Sequence, residues 1–455
     1  MDIAYAAILI WIPVSALFFG LMRPARALVL VYLIGWLALP RAAVPIAGFW
    51  DIDKILATNA GVLLGTLLFC HKQFKGYTFS VADLALLTFA AGTCVTSVVN
   101  RLGIYDGVSS FGLQIARYGM PFCFGRAFIK TRSDLDDACR VIIGAAAFYA
   151  VLAVWEWRMS PNIHKMLYGY FQASFAQHLR WGYHRPIVCF PHALGLGTFF
   201  AWTSLLTIAC VRTGRLRPIC GFPPSLYAWL PLVGLATSMS LGPWGLFVLA
   251  LGLLISWQHS HQPLLICVPV LFAVLWISGR YTNLTDGKWM SAAIRQISPV
   301  RAHSLEGRIE ANTLLIARAK QKPLFGWGTW GRNRIVDKRG RDVVPTDGLW
   351  ILLLGSYGLV GLISFYLWWC WPVLLNLQVK PAGLLEGAMI ALLLGIAIQS
   401  FNFVFNGFLS PVLSLMHGSL VTLLTRVPHP SRTPLRTSVM SRSPRPIVRR
   451  PGYAS

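Results

Sequence analysis

Apolar stretches of about 20 residues recur along almost the whole chain, and no other feature restricts its fold as strongly. A helix of that length crosses the ~30 Å hydrocarbon core of a bilayer. Candidate spans lie near residues 4–22, 27–46, 54–71, 81–100, 106–126, 137–157, 189–210, 219–238, 242–257, 263–279, 348–372, 382–402 and 406–425. This register gives thirteen spans. Twelve is the alternative, because 27–46 contains Pro40 and Arg41 and 106–126 contains Arg117. Only 12% of the 455 residues are charged, whereas 56% are hydrophobic. Soluble domains carry about twice that share of charge. The expected fold class is all-α: a polytopic membrane helix bundle of twelve or thirteen spans, with a large outer loop carrying interfacial helices. The nine Cys form no C-x-x-C pair and lie mostly in or beside the spans, as small buried hydrophobes do. The tract Ile3 to Met22 lacks a basic lead-in and a cleavage site, so it reads as a retained first span.

Basic residues set the orientation. The chain has 40 Lys+Arg against 16 Asp+Glu, a formal charge of +24. These cations cluster between spans rather than on one soluble face, which argues against nucleic-acid binding. Working back from a cytoplasmic tail, alternate connections hold Lys380, then Arg212, Arg215 and Arg217, then Arg126, Lys130 and Arg132, then Lys72 and Lys75, then Arg23 and Arg26. The opposite turns hold only Arg41, Lys54 and Arg101. This register predicts a cytoplasmic C-terminus and, with thirteen spans, an outside N-terminus. It divides the chain into a bundle over 1–279 that includes an outer segment at 158–188, a large outer loop at 280–347, the rest of the bundle at 348–425, and a tail at 426–455. The large loop has 13 Lys+Arg against six acids, and long translocated loops are exempt from the positive-inside count. The tail has seven Arg and no acid, the composition of a flexible segment suited to anionic membrane lipid.

Residues able to do chemistry concentrate in the two outer segments. From Ser304 to Lys320, Ile309, Leu314, Ile316 and Ala317 supply one apolar helix face. Arg308 on this helix has two readings, a diphosphate contact or a structural ion pair with a nearby acid. Arg318, Lys320 and Lys322 are further candidate anion ligands that also suit an interface. Pro323-Leu-Phe-Gly326-Trp-Gly328 then ends the helix in a tight turn. Asp347 stands immediately before an apolar span. It suits a general base taking a proton from a sugar hydroxyl, and it equally suits a helix cap, which local chemistry favours. The other outer segment, 178–195, contains Arg180 and Arg185 as phosphate ligands and His192 as a proton relay or helix-end hydrogen-bond group. Trp181 and Tyr183 suit sugar stacking or an interfacial belt. Asp51 and Asp53 read as a helix cap before a metal pair, His259 and His261 have no companion ligands, and Asp134, Asp136 and Asp137 suit capping. The sequence has no Walker, dinucleotide or H-E-x-x-H motif, so no cofactor and no metal is expected.

From Arg308 to Gly361 the chain resembles the O-antigen ligase and polysaccharide polymerase superfamily. The residues that carry the likeness are Arg308, Pro323-Leu-Phe-Gly326-Trp-Gly328, Asp347-Gly-Leu-Trp-Ile and Gly358-Leu-Val-Gly361. Residues 178–197 are similar to the family's earlier outer Arg-containing segment, less closely, and the polytopic architecture extends the likeness over 1–425. The resemblance implies a multi-pass glycosyltransferase of the bacterial inner membrane, with residues 280–347 periplasmic. Its donor would be an oligosaccharide on undecaprenyl diphosphate, its other partners a glycan acceptor, membrane lipid and polysaccharide-biosynthesis proteins. Arg308, Arg180 and Arg185 would neutralise the leaving diphosphate without a metal. Lipid A-core ligases carry a catalytic His where this chain has Asp347, which favours a polymerase joining repeat units into a surface polysaccharide or exopolysaccharide. A ligase moving finished glycan to lipid A-core or another acceptor is the first alternative. A transporter of a lipid-linked or anionic substrate is the second.

Overall fold

The computed structural model describes residues 2–173, 175–219, 221–296, 298–329, 331–378 and 387–426. Lys380, the start of the expected span 382–402 and the basic tail from 427 onward lie outside the described residues. The fold is all-α, a polytopic membrane helix bundle. Its first half comprises α1 (Asp2–Leu21), α2 (Pro24–Leu37), α3 (Lys54–Gly65), α4 (Val81–Val99), α5 (Ile104–Gln114), α6 (Met120–Phe128), α7 (Arg132–Arg158) and α8 (Ile163–Tyr168). There follow α9 (Ala193–Arg212), α10 (Pro224–Tyr227), α11 (Leu230–Thr237), α12 (Leu241–Ser260), α13 (Leu264–Tyr281), α14 (Lys288–Arg295) and α15 (Pro299–Lys320). The last three are α16 (Leu349–Asn376), α17 (Gly387–Asn402) and α18 (Pro411–Thr425). Two short antiparallel pairs complete the description: β1 (Ala43–Val44) with β2 (Ile52–Asp53), and β3 (Leu179–Arg180) with β4 (Tyr183–His184).

Among the described residues, eight helices are long and apolar enough to span a bilayer, and α2, α17 and α18 are shorter apolar helices. The remaining expected spans are interrupted, for legible reasons. The tract 219–238 breaks into α10 and α11 because Pro223, Pro224 and Pro231 remove three amide donors. The tract 106–126 is divided by a wide π-type turn at Ile115–Gly119 between α5 and α6. The tract 27–46 leaves the helix after Leu37, ahead of Pro40.

Caps placed by sequence fix several helix starts. Asp53 accepts from the Ile55 and Leu56 amides at 3.0 and 2.9 Å, so its role is capping α3. Asp134 completes a capping box with Thr131 at the start of α7, and Asp83 does the same with Ser80 at α4. Asp136 and Asp137 instead pair with Arg215 and Arg26. The packed centre is aromatic. Phe122, Trp368 and Trp369 are fully buried around His417, with buried Phe365 and Phe403 packed against the two tryptophans.

The expected span 348–372 is present as α16, but it is broken. Gly358 has φ 66° and ψ −163°, a conformation outside the helical region. The break frees the Gly355 and Ser356 carbonyls and the Leu359 and Val360 amides. All four are taken up by the segment 323–328. Trp327 and Gly328 donate to Gly355 and Ser356, both at 2.9 Å. Leu359 and Val360 donate to Pro323 and Leu324 at 2.8 and 3.2 Å. From the other side, α4 donates Thr96 Oγ1 to the Phe325 carbonyl and Asn100 Nδ2 to that of Gly326. In a bilayer every such backbone group needs a protein partner, and here each has one. A Cβ on Gly358 would lie 2.3 Å from the Leu324 oxygen. Gly358→Val is therefore expected to cost at least about 3 kcal/mol. Gly307→Ala, on an open helical face, is expected to stabilise slightly. Thermal unfolding of the detergent-solubilised protein checks both; equal stability of the two variants would refute the account of the break.

Candidate functional site

The helix ends that carry the expected site residues meet on one face of the bundle, the face from which the chain between α13 and α16 emerges. The segment after α7 is bolted down there by buried polar groups. Glu156 accepts from the amides of Ile163, Ile187 and Val188 at 3.0, 2.9 and 2.8 Å. Lys54 donates to the carbonyls of Trp36, Leu39 and Cys189. Between these anchors stands the β3–β4 hairpin. Trp181 and Gly182 have φ 52° and 79°, as a two-residue turn with both central residues left-handed requires.

The hairpin delivers two guanidinium groups to the turn before α12. Arg180 reaches the Met239 carbonyl at 3.3 Å, while Arg185 is buried and donates to Ser240 Oγ at 3.1 and 2.7 Å. The third cation arrives on α15. Buried Arg280, at the end of α13, holds this helix by donating to the Ile309 carbonyl and Thr313 Oγ1 at 2.9 and 2.7 Å. One residue before Ile309, Arg308 forms an ion pair with Asp347, Nε to Oδ2 3.1 Å. Its Nη1 also reaches the Phe405 carbonyl at 3.5 Å.

Asp347 does not cap α16. The capping position is Gly348, with no side-chain cap, and the Asp347 carboxylate turns to Arg308 instead. The two side chains keep 35% and 41% of their surface exposed. Pairs that wet contribute roughly 0–1 kcal/mol. The fold gains little from holding them together, so a substrate can open the pair at small cost.

Arg308 stands between two hollows. A cavity of about 350 Å³ is walled by Arg180, Arg308, Ser304, Asn402 and Asn406, with an apolar side formed by residues such as Leu241 and Met290. Among the described residues, no carboxylate lines it. An adjoining crevice is lined by Arg308, Asn312, Pro345 and Asp347. Arg180 and Arg308, from segments far apart in sequence, thus share one wall. The volume is that of a small-molecule site, and two guanidiniums without a lining acid suit an anion.

His192 caps α9, its Nδ1 accepting from the Leu194 amide at 3.1 Å, and its ring stacks on Phe408. Burial pushes its pKa down to about 4, and Arg185, His178, Arg180 and Arg308 push in the same direction. The ring is therefore neutral near pH 7. The nitrogen a relay would protonate is occupied by the cap. Trp181 and Tyr183 sit at the exposed hairpin tip, stacked on Trp244 and Trp157, and do not line the cavity. Arg318 lies under Trp327, 3.4 Å from its centroid, and about 15 Å along α15 from Arg308. Lys320 and Lys322 are engaged by Asn283 and Asn100.

Sequence reading overlooked Asn402 and Asn406, which belong to the cavity wall, and Glu156, Arg280 and Ser240, which position its cations. Polar or ionisable residues within apolar tracts were the available signal. Among the described residues, no three His, Cys, Asp or Glu side chains gather as metal ligands would. No family model matches the chain, and no curated protein matches it.

Two measurements check this assembly. His192 titrates near 4 in the fold against ~6.5 in an unfolded chain, so on acidification the unfolded state takes the proton first. This contribution to stability is complete above about pH 6.5 and is lost progressively toward about pH 4. His192→Asn keeps a cap, and its thermal unfolding loses that part of the pH slope. Glu156→Gln turns an amide group toward backbone donors and is expected to cost about 2–3 kcal/mol. An unchanged Tm in Glu156→Gln would remove its anchoring role.

Proposed function

We propose that this multi-pass membrane protein is a polymerase joining undecaprenyl-diphosphate-linked oligosaccharide repeat units. The observation that carries the reading is Arg308 beside Asp347 at 3.1 Å, with Arg180 on the same cavity wall. The likeness of residues 308–361 to the O-antigen ligase and polysaccharide polymerase superfamily points the same way. In this reading the face bearing the site is periplasmic, because the basic connections lie on the opposite, cytoplasmic face.

The reaction is a direct displacement. A hydroxyl of the acceptor attacks the anomeric carbon of the donor's reducing-end sugar, and the new glycosidic C–O bond forms as the bond to the diphosphate oxygen breaks. Asp347 orients the hydroxyl and receives its proton. The diphosphate leaves with the bonding electron pair, and Arg308 and Arg180 stabilise the charge, the work a metal does elsewhere. Attack from the face opposite the leaving group inverts the anomeric centre. Arg185 acts behind these groups, fixing the hairpin through Ser240.

A transporter is the second reading, and the broken helix α16 is the observation that favours it. The enzyme reading stays ahead because the freed backbone groups at Gly358 are occupied by residues 323–328 rather than left to coordinate a ligand.

The test is mass analysis of undecaprenyl-diphosphate-linked glycans in a deletion strain complemented with wild type, Asp347→Asn or Arg308→Gln. Both variants are expected to accumulate carriers bearing a single repeat unit, with transfer down at least about a hundredfold, or about 3 kcal/mol. Accumulation of long carrier-linked chains would identify a ligase instead. Wild-type glycan in Asp347→Asn would sink the general-base role, and donor translocation without glycosidic bond formation would favour the transporter.

A further inference from the structure

A direct displacement needs two glycans at once, and the Arg308 cavity is built for only one of them, the anionic end of the donor. A second cavity of about 280 Å³ lies against the first turns of α16. Leu349, Leu352 and Leu353 form one wall of it, and Asp347 is only two positions before Leu349. The other walls present Ser109, Ser110, Gln114, Arg117, Thr329 and Tyr357. We infer that this cavity is a neutral-saccharide subsite that holds the acceptor glycan beside Asp347. The inference rests on the transferase reading above.

The lining chemistry differs from that of the first cavity. Most of its polar groups are hydroxyls and an amide, each able to donate and accept. Among the described residues it has one cation where the first cavity has two: Arg117, which pairs with Asp53 at 3.2 Å. An anion therefore meets half the charge there, whereas a hydroxyl-rich ring finds donors and acceptors on several sides. Thr329 Oγ1 is buried with no hydrogen-bond partner among the described residues, a group whose desolvation a ligand hydroxyl would offset. Gln114 donates to Tyr357 Oη at 2.9 Å, which holds both side chains in place. Tyr118 adds an aromatic wall of the kind on which sugar rings pack. The wide turn at Ile115–Gly119 has a local purpose here, because Arg117 and Tyr118 both lie in it and both line the cavity.

The probe is the oligosaccharide freed by mild acid from the cell's own undecaprenyl-diphosphate-linked pool, which carries neither lipid nor diphosphate. Its affinity is measured by isothermal titration against the full-length protein in lipid nanodiscs. Wild type and Arg308→Gln are expected to bind alike. Leu113 also lines the cavity, so Leu113→Trp, which fills it, and Arg117→Gln are expected to weaken binding at least about tenfold. Should Leu113→Trp fail to fold, as judged by its thermal unfolding, Arg117→Gln decides. Wild-type affinity in both cavity variants, no binding to wild type at millimolar probe, or loss of binding in Arg308→Gln alone would each overturn the subsite. Weakened binding in the cavity variants, together with normal carrier-linked glycans in the deletion strain, would support a saccharide site while removing the polymerase reading.

Discussion

A backbone break inside a lipid-facing bundle is tolerable only if other backbone fills it, and that constraint organises this molecule. Segment 323–328 supplies two donors and two acceptors to the gap at Gly358 of α16, and α4 grips the same segment through Thr96 and Asn100. The segment is the direct continuation of α15. Fixing it therefore fixes one end of α15, and Arg280 fixes the helix again in its middle. Held at both places, α15 carries Arg308 over the head of α16, where Asp347 stands. The glycines serve this arrangement: a side chain at Gly358 or Gly326 would strike the opposing backbone.

The second cationic arm has a different physical origin. Between α7 and α9 the described residues form only short elements, α8 and the β3–β4 hairpin among them, and buried charges that bind backbone and hydroxyl groups order the chain there. Glu156 gathers amides, Lys54 gathers carbonyls, and Arg185 takes the hydroxyl of Ser240. Each buried charge is thereby solvated by fixed dipoles, which limits the cost of removing it from water. The result is a stiff platform from which Arg180 joins Arg308 on one cavity wall. Preorganised cations of this kind lose little on meeting an anion, because they do not reorganise.

Arg308 and Asp347 were both legible as candidates, since a cation on an amphipathic helix and an acid at a span boundary are conspicuous in an apolar chain. Their relation was not. Local chemistry assigned Asp347 to a helix cap, and only the approach of α15 explains why Gly348 occupies that position and the carboxylate turns away. Arg318 was a further candidate behind Arg308, and the turn beyond it brings Trp327 onto its guanidinium and leaves it outside the cavity. Asn402 and Asn406 fell at the ends of two expected spans and were not singled out, because nothing local shows that the turn after α17 faces the other two segments.

By itself the sequence determined the solvent of this protein, its all-helical class and most span positions, because hydropathy and helix length are local and additive. It also confined the caps of α3 and α7 to two short acidic runs, Asp51 or Asp53 and Asp134 to Asp137, because a cap depends on neighbours three residues away. Tertiary structure decided where spans break and which polar groups meet. A break is stable only when a distant segment satisfies the opened hydrogen bonds, and a site exists only when separate segments converge. Neither condition is written in any one stretch of the chain.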